Sequence, residues 1–267
     1  MLKHKKHSKL FFIVSLVLPL LPLQGGVQGC SGQEAKGASS REGKGSSDFS
    51  SPEKYLFKPN SKDLPIFERI FSNPHLFDSP EEMKAAGFKV NSRVHLELMV
   101  STHPELKKYI FKKYTNKIPQ DEQLAKYIHR INGARTIAKT LKKYQIQHLI
   151  VPKKGLYPLP PQFGENTYVV VAEYLDICTG DDHRSGENGQ CYYNIPKEVL
   201  RELILVMHAL GGCDAWPRNQ PFTRQGQIAF VDTEHVGEKE RHFARHIIPR
   251  LNPKMQQYAT NLLNKLN

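Results

Sequence analysis

Three oxygen-bearing side chains in the C-terminal third stand at spacings that carry chemistry: Asp214, Asn219 five positions on, and Asp232 thirteen positions beyond that, at the end of the short apolar run 228–231. A carboxylate orients or deprotonates a hydroxyl acceptor, and carboxylate and amide oxygens are the hard donors that hold magnesium on nucleotide phosphates. Phosphoryl transfer needs both. Glu234, two positions after Asp232, adds another acid. Asp and Asn are also common turn formers and strand-end caps, so the same residues have a purely structural reading.

Hydrophobic periodicity outlines the elements that must position them. Residues 120–144 repeat apolar side chains at three- and four-residue intervals (Leu124, Tyr127, Ile128, Ile131, Ala134, Ile137), which predicts the longest amphipathic helix of the chain. Gly133 inside it costs about 1 kcal/mol against alanine, so close packing or a break is expected there. Residues 94–101 alternate apolar and polar, residues 109–115 are rich in aromatic and branched side chains, and His103-Pro104 lies between; together they predict a hairpin. Ser79 and Pro80 mark a helix start over 79–86. Strands are expected at 148–152 and 167–175, joined by a Pro-rich connection, the second apolar enough to be buried on both faces. Helices are predicted at 196–209, 239–246 and 253–266, the last capped by Asn252. The fold class is α+β, and no internal repeat occurs.

A loop with Asp and then Asn five positions later, followed by a short strand ending in Asp, is the pattern of kinase folds. With the upstream order of hairpin, long helix, two strands, linker and helix, residues 90–245 resemble the protein-kinase-like superfamily. The likeness is to its atypical and small-molecule kinase branches, where an acid often follows the metal-binding Asp by two positions, as in Asp232-Thr233-Glu234. The resemblance implies a two-lobed fold, with a small β-rich N-lobe at about 85–175 and a shortened helical C-lobe at about 190–267. It implies Asp214 as catalytic base, Asn219 and Asp232 as magnesium ligands, Glu234 as an accessory, and ATP with Mg²⁺ as cofactors. In the same register YIFK resembles the third-strand Val-Ala-Ile-Lys, so Lys112 would contact the α- and β-phosphates, with Lys107, Lys108 and Lys113 as rivals. AEYLD at 172–176 resembles the adenine-binding hinge, which gives Glu173 and Leu175 the backbone contacts to the base.

The departures from that pattern are specific. No G-x-G-x-x-G occurs, and HPEL at 103–106 stands where the phosphate-covering loop of the first hairpin is expected. The long helix has acids only at Asp121 and Glu122 and carries Arg130 and Arg135 in its middle, so the usual lysine–glutamate pair is not expected. Gly212-Cys213 replaces His-Arg before Asp214, and Thr233 replaces the glycine after Asp232. Only 35 residues follow Asp232, which leaves room for two helices and no long peptide groove.

The N-terminus reads differently. Lys3, Lys5, Lys6 and Lys9 precede an apolar run from Leu10 to Leu23, interrupted by Ser15, Pro19 and Pro22, and small residues follow. That is the three-part layout of a secretory signal over residues 1–29, too short and too proline-broken for a comfortable span. Val27-Gln28-Gly29-Cys30 resembles the lipobox of bacterial lipoproteins, which makes Cys30 a lipidation candidate beside the alternative of a plainly cleaved or uncleaved signal. Residues 30–52, rich in Gly, Ser and charge, read as a flexible tether ahead of a domain over 53–267. The expected location is therefore exported, membrane-anchored only through that lipid or else secreted. Cys178 and Cys191 bracket a polar loop that an oxidising compartment would let them close as a disulfide.

The formal charge of +12 falls to +8 without the four N-terminal lysines. A residual excess of that size suits an anionic partner such as nucleotide, and is equally the mark of a soluble basic surface. Nucleic acid is not the expected partner. Three functions stay open on the sequence: a phosphotransferase acting from ATP-Mg on an unidentified acceptor, a pseudokinase that only binds, and a basic tethered protein that holds an anionic partner.

Overall fold

The structure, a computed structural model, describes residues 51–93, 98–115, 117–165, 167–180, 186–238 and 242–266. The signal segment, Cys30 and nearly all of the tether lie outside the described residues. Residues 53–266 form an α+β unit around one antiparallel sheet. Its strands are β1 (Lys89–Arg93), β2 (Leu98–Thr102), β3 (Tyr109–Tyr114), β5 (Lys154–Pro158) and β6 (Tyr168–Glu173), in the order β1-β2-β3-β6-β5. A two-residue strand, β4 (Leu149–Ile150), pairs in parallel with β7 (Ile228–Ala229).

Period-two alternation sorts the sheet into two faces. Val169 and Val171 of β6 and Phe111 of β3 pack with Phe67 of α1 (Leu64–Ile70), Phe71 just after it and Met83 of α2 (Pro80–Ala85). Val170 and Leu156 point the other way, onto Tyr127 and Ile131 of α3 (Gln120–Lys143). All three valines of β6 are fully buried, as its continuous apolar run requires. Ser79 caps α2 by accepting the Glu82 N–H at 3.1 Å.

The predicted helix over 120–144 is α3, 24 residues and about 36 Å long. It belongs to two of the three hydrophobic clusters. Ile131 packs under the sheet, while Ile137 joins Leu200, Leu203, Met207, Phe230 and Phe243 in the helical half. That half comprises α4 (Glu187–Tyr193), α5 (Lys197–Ala209), α6 (His242–His246) and α7 (Pro253–Leu266). Asn252 caps α7 as expected, accepting the Met255 N–H at 3.1 Å. Among the described residues no helix is long and apolar enough to cross a membrane.

Several local expectations are corrected. The first hairpin is β1 with β2, Lys89 opposite Thr102, so HPEL joins β2 to β3 at the opposite end of the sheet. The connection of the first hairpin, residues 94–97, is outside the described residues. The Pro-rich linker contains a strand: β5 tolerates Pro158 because it is the terminal strand of the sheet, and residues 56–57 cover its outer edge, with Phe57 N donating to Leu156 O at 2.7 Å. Helices α1 and α4 carry too little apolar periodicity to announce themselves. Helix 239–246 is described only from His242.

Candidate active site

Alternation on β3 sends Tyr109 and Phe111 into the core and turns Ile110 and Lys112 to the opposite face, where the sheet overhangs the segment after β7. A cavity of about 190 Å³ opens there. Lys112, Glu173, Leu175, Asn219 and Asp232 all line it, with Leu98, Val100, Ile110 and Ala172 as apolar walls. Five of the residues singled out by sequence, drawn from four separate stretches of chain, thus meet in one place. The Leu175 N–H, just past the last residue of β6, has no partner among the described residues and is available to a ligand.

The floor is the segment 230–234. Phe230 N donates to Ile150 O at 2.9 Å, and Val231 N to Asn219 O at 3.0 Å, so β4 and the loop after Asp214 fix where Asp232 emerges. Two ammonium groups then converge on one carbonyl: Lys112 Nζ donates to Val231 O at 3.1 Å and Lys154 Nζ at 3.0 Å, the latter also to Thr233 Oγ1 at 2.9 Å. A third cation comes from α3. Arg130 Nη1 donates to Asp232 Oδ1 at 2.5 Å, while its Nη2 donates to Glu234 and, at 3.1 Å, to the Tyr114 hydroxyl.

This reach is possible because α3 touches the segment. A Cβ on Gly133 would lie 1.9 Å from Thr233 O, so only glycine allows the approach, which is the close packing that the glycine implied. Arg130, one helical turn earlier, is then placed on both acids. An arginine on the helix takes the acids of the 232–234 segment.

Burial works to raise the Asp232 pKa, yet the charges of Lys112, Arg130 and Lys154 and the Glu234 N–H outweigh it and hold the carboxyl at about 2. Lys154 is driven well below the usual lysine value, first by burial and then by the Lys112 charge. Asp232 is therefore an ionised carboxylate, and Asn219 donates its amide N–H to Asp214 O at 3.4 Å, which leaves its side-chain oxygen without a partner among the described residues. Two hard oxygens on one cavity fit a magnesium ion that takes its remaining ligands from phosphates and water. Among the described residues no group of three His, Cys, Asp or Glu side chains could hold a metal.

Asp214 does not line this cavity; it is half-buried, with Oδ1 2.9 Å from His242 Nδ1, and its chain neighbours Arg218 and Asn219 are the lining residues nearest to it in sequence. The His242 ring meets His246 edge-on at 5.1 Å, and His246 stacks on Trp216 at 3.8 Å. Glu234 faces Arg130 rather than the cavity. Cys178 and Cys191 lie together as thiols, 4.0 Å apart, and burial followed by the neighbouring Cys191 pushes Cys178 up to about 11. Lys107 and Lys108 are exposed, and Lys113 points to the opposite face.

Sequence reading missed Lys154, inside the unrecognised β5, and the roles of Arg130 and His242. Only tertiary structure brings these three to the site. Comparison with protein-family models, with curated proteins and with solved structures found no match.

Proposed function

We propose that this chain is a kinase-like phosphotransferase with a two-lobed arrangement, its strand-rich lobe at about 85–175 and its short helical lobe at about 190–267. The observation that carries the reading is the convergence of Lys112, Glu173, Leu175, Asn219 and Asp232 on one apolar-walled cavity. An adenine fits the walls formed by Leu98, Val100 and Ile110, with the Leu175 N–H as donor to the base. Lys112 and Lys154 set a positive potential at the phosphate end, where electrostatic positioning does most of the work of phosphoryl transfer. Asn219 and Asp232 would hold Mg²⁺, which neutralises phosphate charge when bound. Asp214, oriented by His242, takes the proton of the acceptor hydroxyl as its oxygen bonds to the γ-phosphorus; the bond from that phosphorus to the bridging oxygen breaks and ADP leaves.

One observation favours a second reading as a binding module without catalysis. Arg130 already occupies Asp232 and Glu234, so metal binding competes with a buried ion pair. The two readings separate in one experiment on the full chain: calorimetry with ATP with and without Mg²⁺, and ADP release in the presence of a panel of small hydroxyl compounds, for the wild type, Asp232→Asn and Asp214→Asn. The phosphotransferase reading expects Mg²⁺-dependent binding, lost in Asp232→Asn, and release abolished in Asp214→Asn with binding kept. Binding without release in the wild type selects the module. Absence of ATP binding under both conditions sinks the nucleotide reading and leaves the basic tethered protein. The signal-like N-terminus makes export, with anchoring through Cys30, part of the same proposal, and the mass of the native N-terminus decides it.

A further inference from the structure

The outer side of Asp214 has a chemistry of its own. From the carboxylate a chain of rings runs outward: His242 at 2.9 Å, His246 edge-on to it at 5.1 Å, and Trp216 stacked on His246 at 3.8 Å. The Arg218 guanidinium lies over the same tryptophan, 5.0 Å from the ring centre, and Arg218 also lines the cavity next to Asn219. One side chain therefore touches both the phosphate end of the cleft and the cluster around the candidate base.

The charges there are one-sided. Arg245 and Arg250 both act on His246, and neither they nor Arg218 pairs with a carboxylate among the described residues. Among the described residues, Asp214 is the acid acting on His246, set against the cations Arg245 and Arg250 and the ring of His242. The field at this rim thus favours an anion and opposes a cation. A guanidinium held over an indole by a cation–π contact keeps N–H donors free for an oxyanion, which can accept two of them.

We propose that the acceptor of this site carries an anionic group, a phosphate or a carboxylate, seated on Arg218 and His246 beside Trp216, with its hydroxyl presented to the Asp214–His242 pair. The inference rests on the reading of Asp214 as base and adds the substrate class: a small hydroxyl compound already bearing one anion. A neutral alcohol gains nothing from the arginine, and a basic acceptor is repelled by it.

Trp216 is the only tryptophan of the chain, so its fluorescence reports this rim alone. Inorganic phosphate and acetate are titrated separately into the full chain at constant ionic strength. A saturable change in Trp216 emission with either ion is expected, weakened at least tenfold in Arg218→Ala and in His246→Gln and retained in Lys112→Met. A response to phosphate alone assigns the phosphate class, and one to acetate assigns the carboxylate class. No saturable change overturns the proposal, as does a change that survives Arg218→Ala or vanishes in Lys112→Met, which would move the anion to the nucleotide cleft. Calorimetry with Mg-ATP on the same samples keeps the two ideas apart: binding of ATP without an anion response removes only the acceptor class, and an anion response without ATP binding removes only the phosphotransferase.

Discussion

Lys112 and Lys113 are neighbours on β3 and have opposite environments. Lys112 faces the cleft, where Asp232 compensates it. Lys113 is buried on the other face, with its Nζ donating to Gln123 Oε1 at 2.5 Å and no carboxylate among the described residues to balance it. Burial alone pulls its pKa down to about 8 from 10.5. The folded protein therefore binds this proton more weakly than the unfolded chain, and the penalty is complete below pH 8 and disappears as the pH rises towards 10.5. Its size is about 3 kcal/mol, part of which the Gln123 bond returns. Lys113→Met should thus stabilise the protein by about 1–2 kcal/mol at pH 7, in line with apolar replacement of buried charge. Urea unfolding at pH 7 and pH 10 checks it: the gain must shrink at the higher pH, and destabilisation at pH 7 would show that the ammonium has a role here. From sequence, four lysines between 107 and 113 competed for the phosphate role. Strand register decides between them, since Phe111 in the core sends Lys112 to the cleft and Lys113 back.

At the scale of elements, α3 was legible because it is long and its apolar residues recur for six turns, and α5 and α7 were legible for the same reason. Strands β1 and β5 were not. β1 and β5 are the two edges of the sheet, β1 with a single apolar residue inside it and β5 with Gly155 and Pro158, so neither shows the alternation of a half-buried strand. Helix α4 has poor helix formers at five of its seven positions and is held from outside, Asn188 accepting the Phe222 N–H at 2.9 Å and donating to Pro217 O at 3.1 Å. The Asp214, Asn219 and Asp232 spacing was legible because loop and strand lengths fix it locally; Arg130 and Lys154 reach the site over about 100 and 80 positions of chain, a distance at which spacing carries no information. Gly133 is where element packing and site meet. Alanine there improves helix propensity by about 1 kcal/mol, but its Cβ would fall 1.9 Å from Thr233 O, so α3 or the 232–234 segment must shift. Gly133→Ala should cost about 2 kcal/mol or more net and weaken Mg²⁺-dependent ATP binding at least tenfold. Thermal unfolding and calorimetry read both, and a more stable variant would refute the close approach. The α4 region gives another check: Cys178 and Cys191 are near enough to close a loop, and oxidation should remove two free thiols and raise stability by about 2–3 kcal/mol, seen as a higher urea midpoint lost on reduction.

Across the whole molecule, three hydrophobic clusters divide the labour, one on each face of the sheet and one among the later helices. The sheet with α1, α2 and the first half of α3 makes one half, and α4 to α7 with the second half of α3 makes the other. The chain that returns from the helical half at β7 is tied to the sheet half by polar bonds, from Lys112 and Lys154 to Val231 O and from Arg130 to the two acids. Removing those charges should loosen the halves from each other before either half opens. Acid does so selectively. The folded pKa of Asp232 at about 2 lies below its ordinary 3.8, so its contribution is complete above pH 4 and is lost as the pH falls through about 2. The amount is about 2 kcal/mol. Urea unfolding between pH 5 and pH 2 should follow that decline in the wild type and be flatter in Asp232→Asn, which is uncharged throughout. Arg130→Ala tests the same tie from its other end: it leaves Glu234 without its cation and Asp232 with the two lysines alone, and should cost about 3 kcal/mol at pH 7, and less at pH 2 where Asp232 begins to take up its proton. Hydrogen exchange at pH 3 locates the effect, with amides of residues 228–234 and of α3 near Arg130 losing protection before those of β6 or α5. Uniform loss of protection across both halves would mean that the ion pairs are not what joins them.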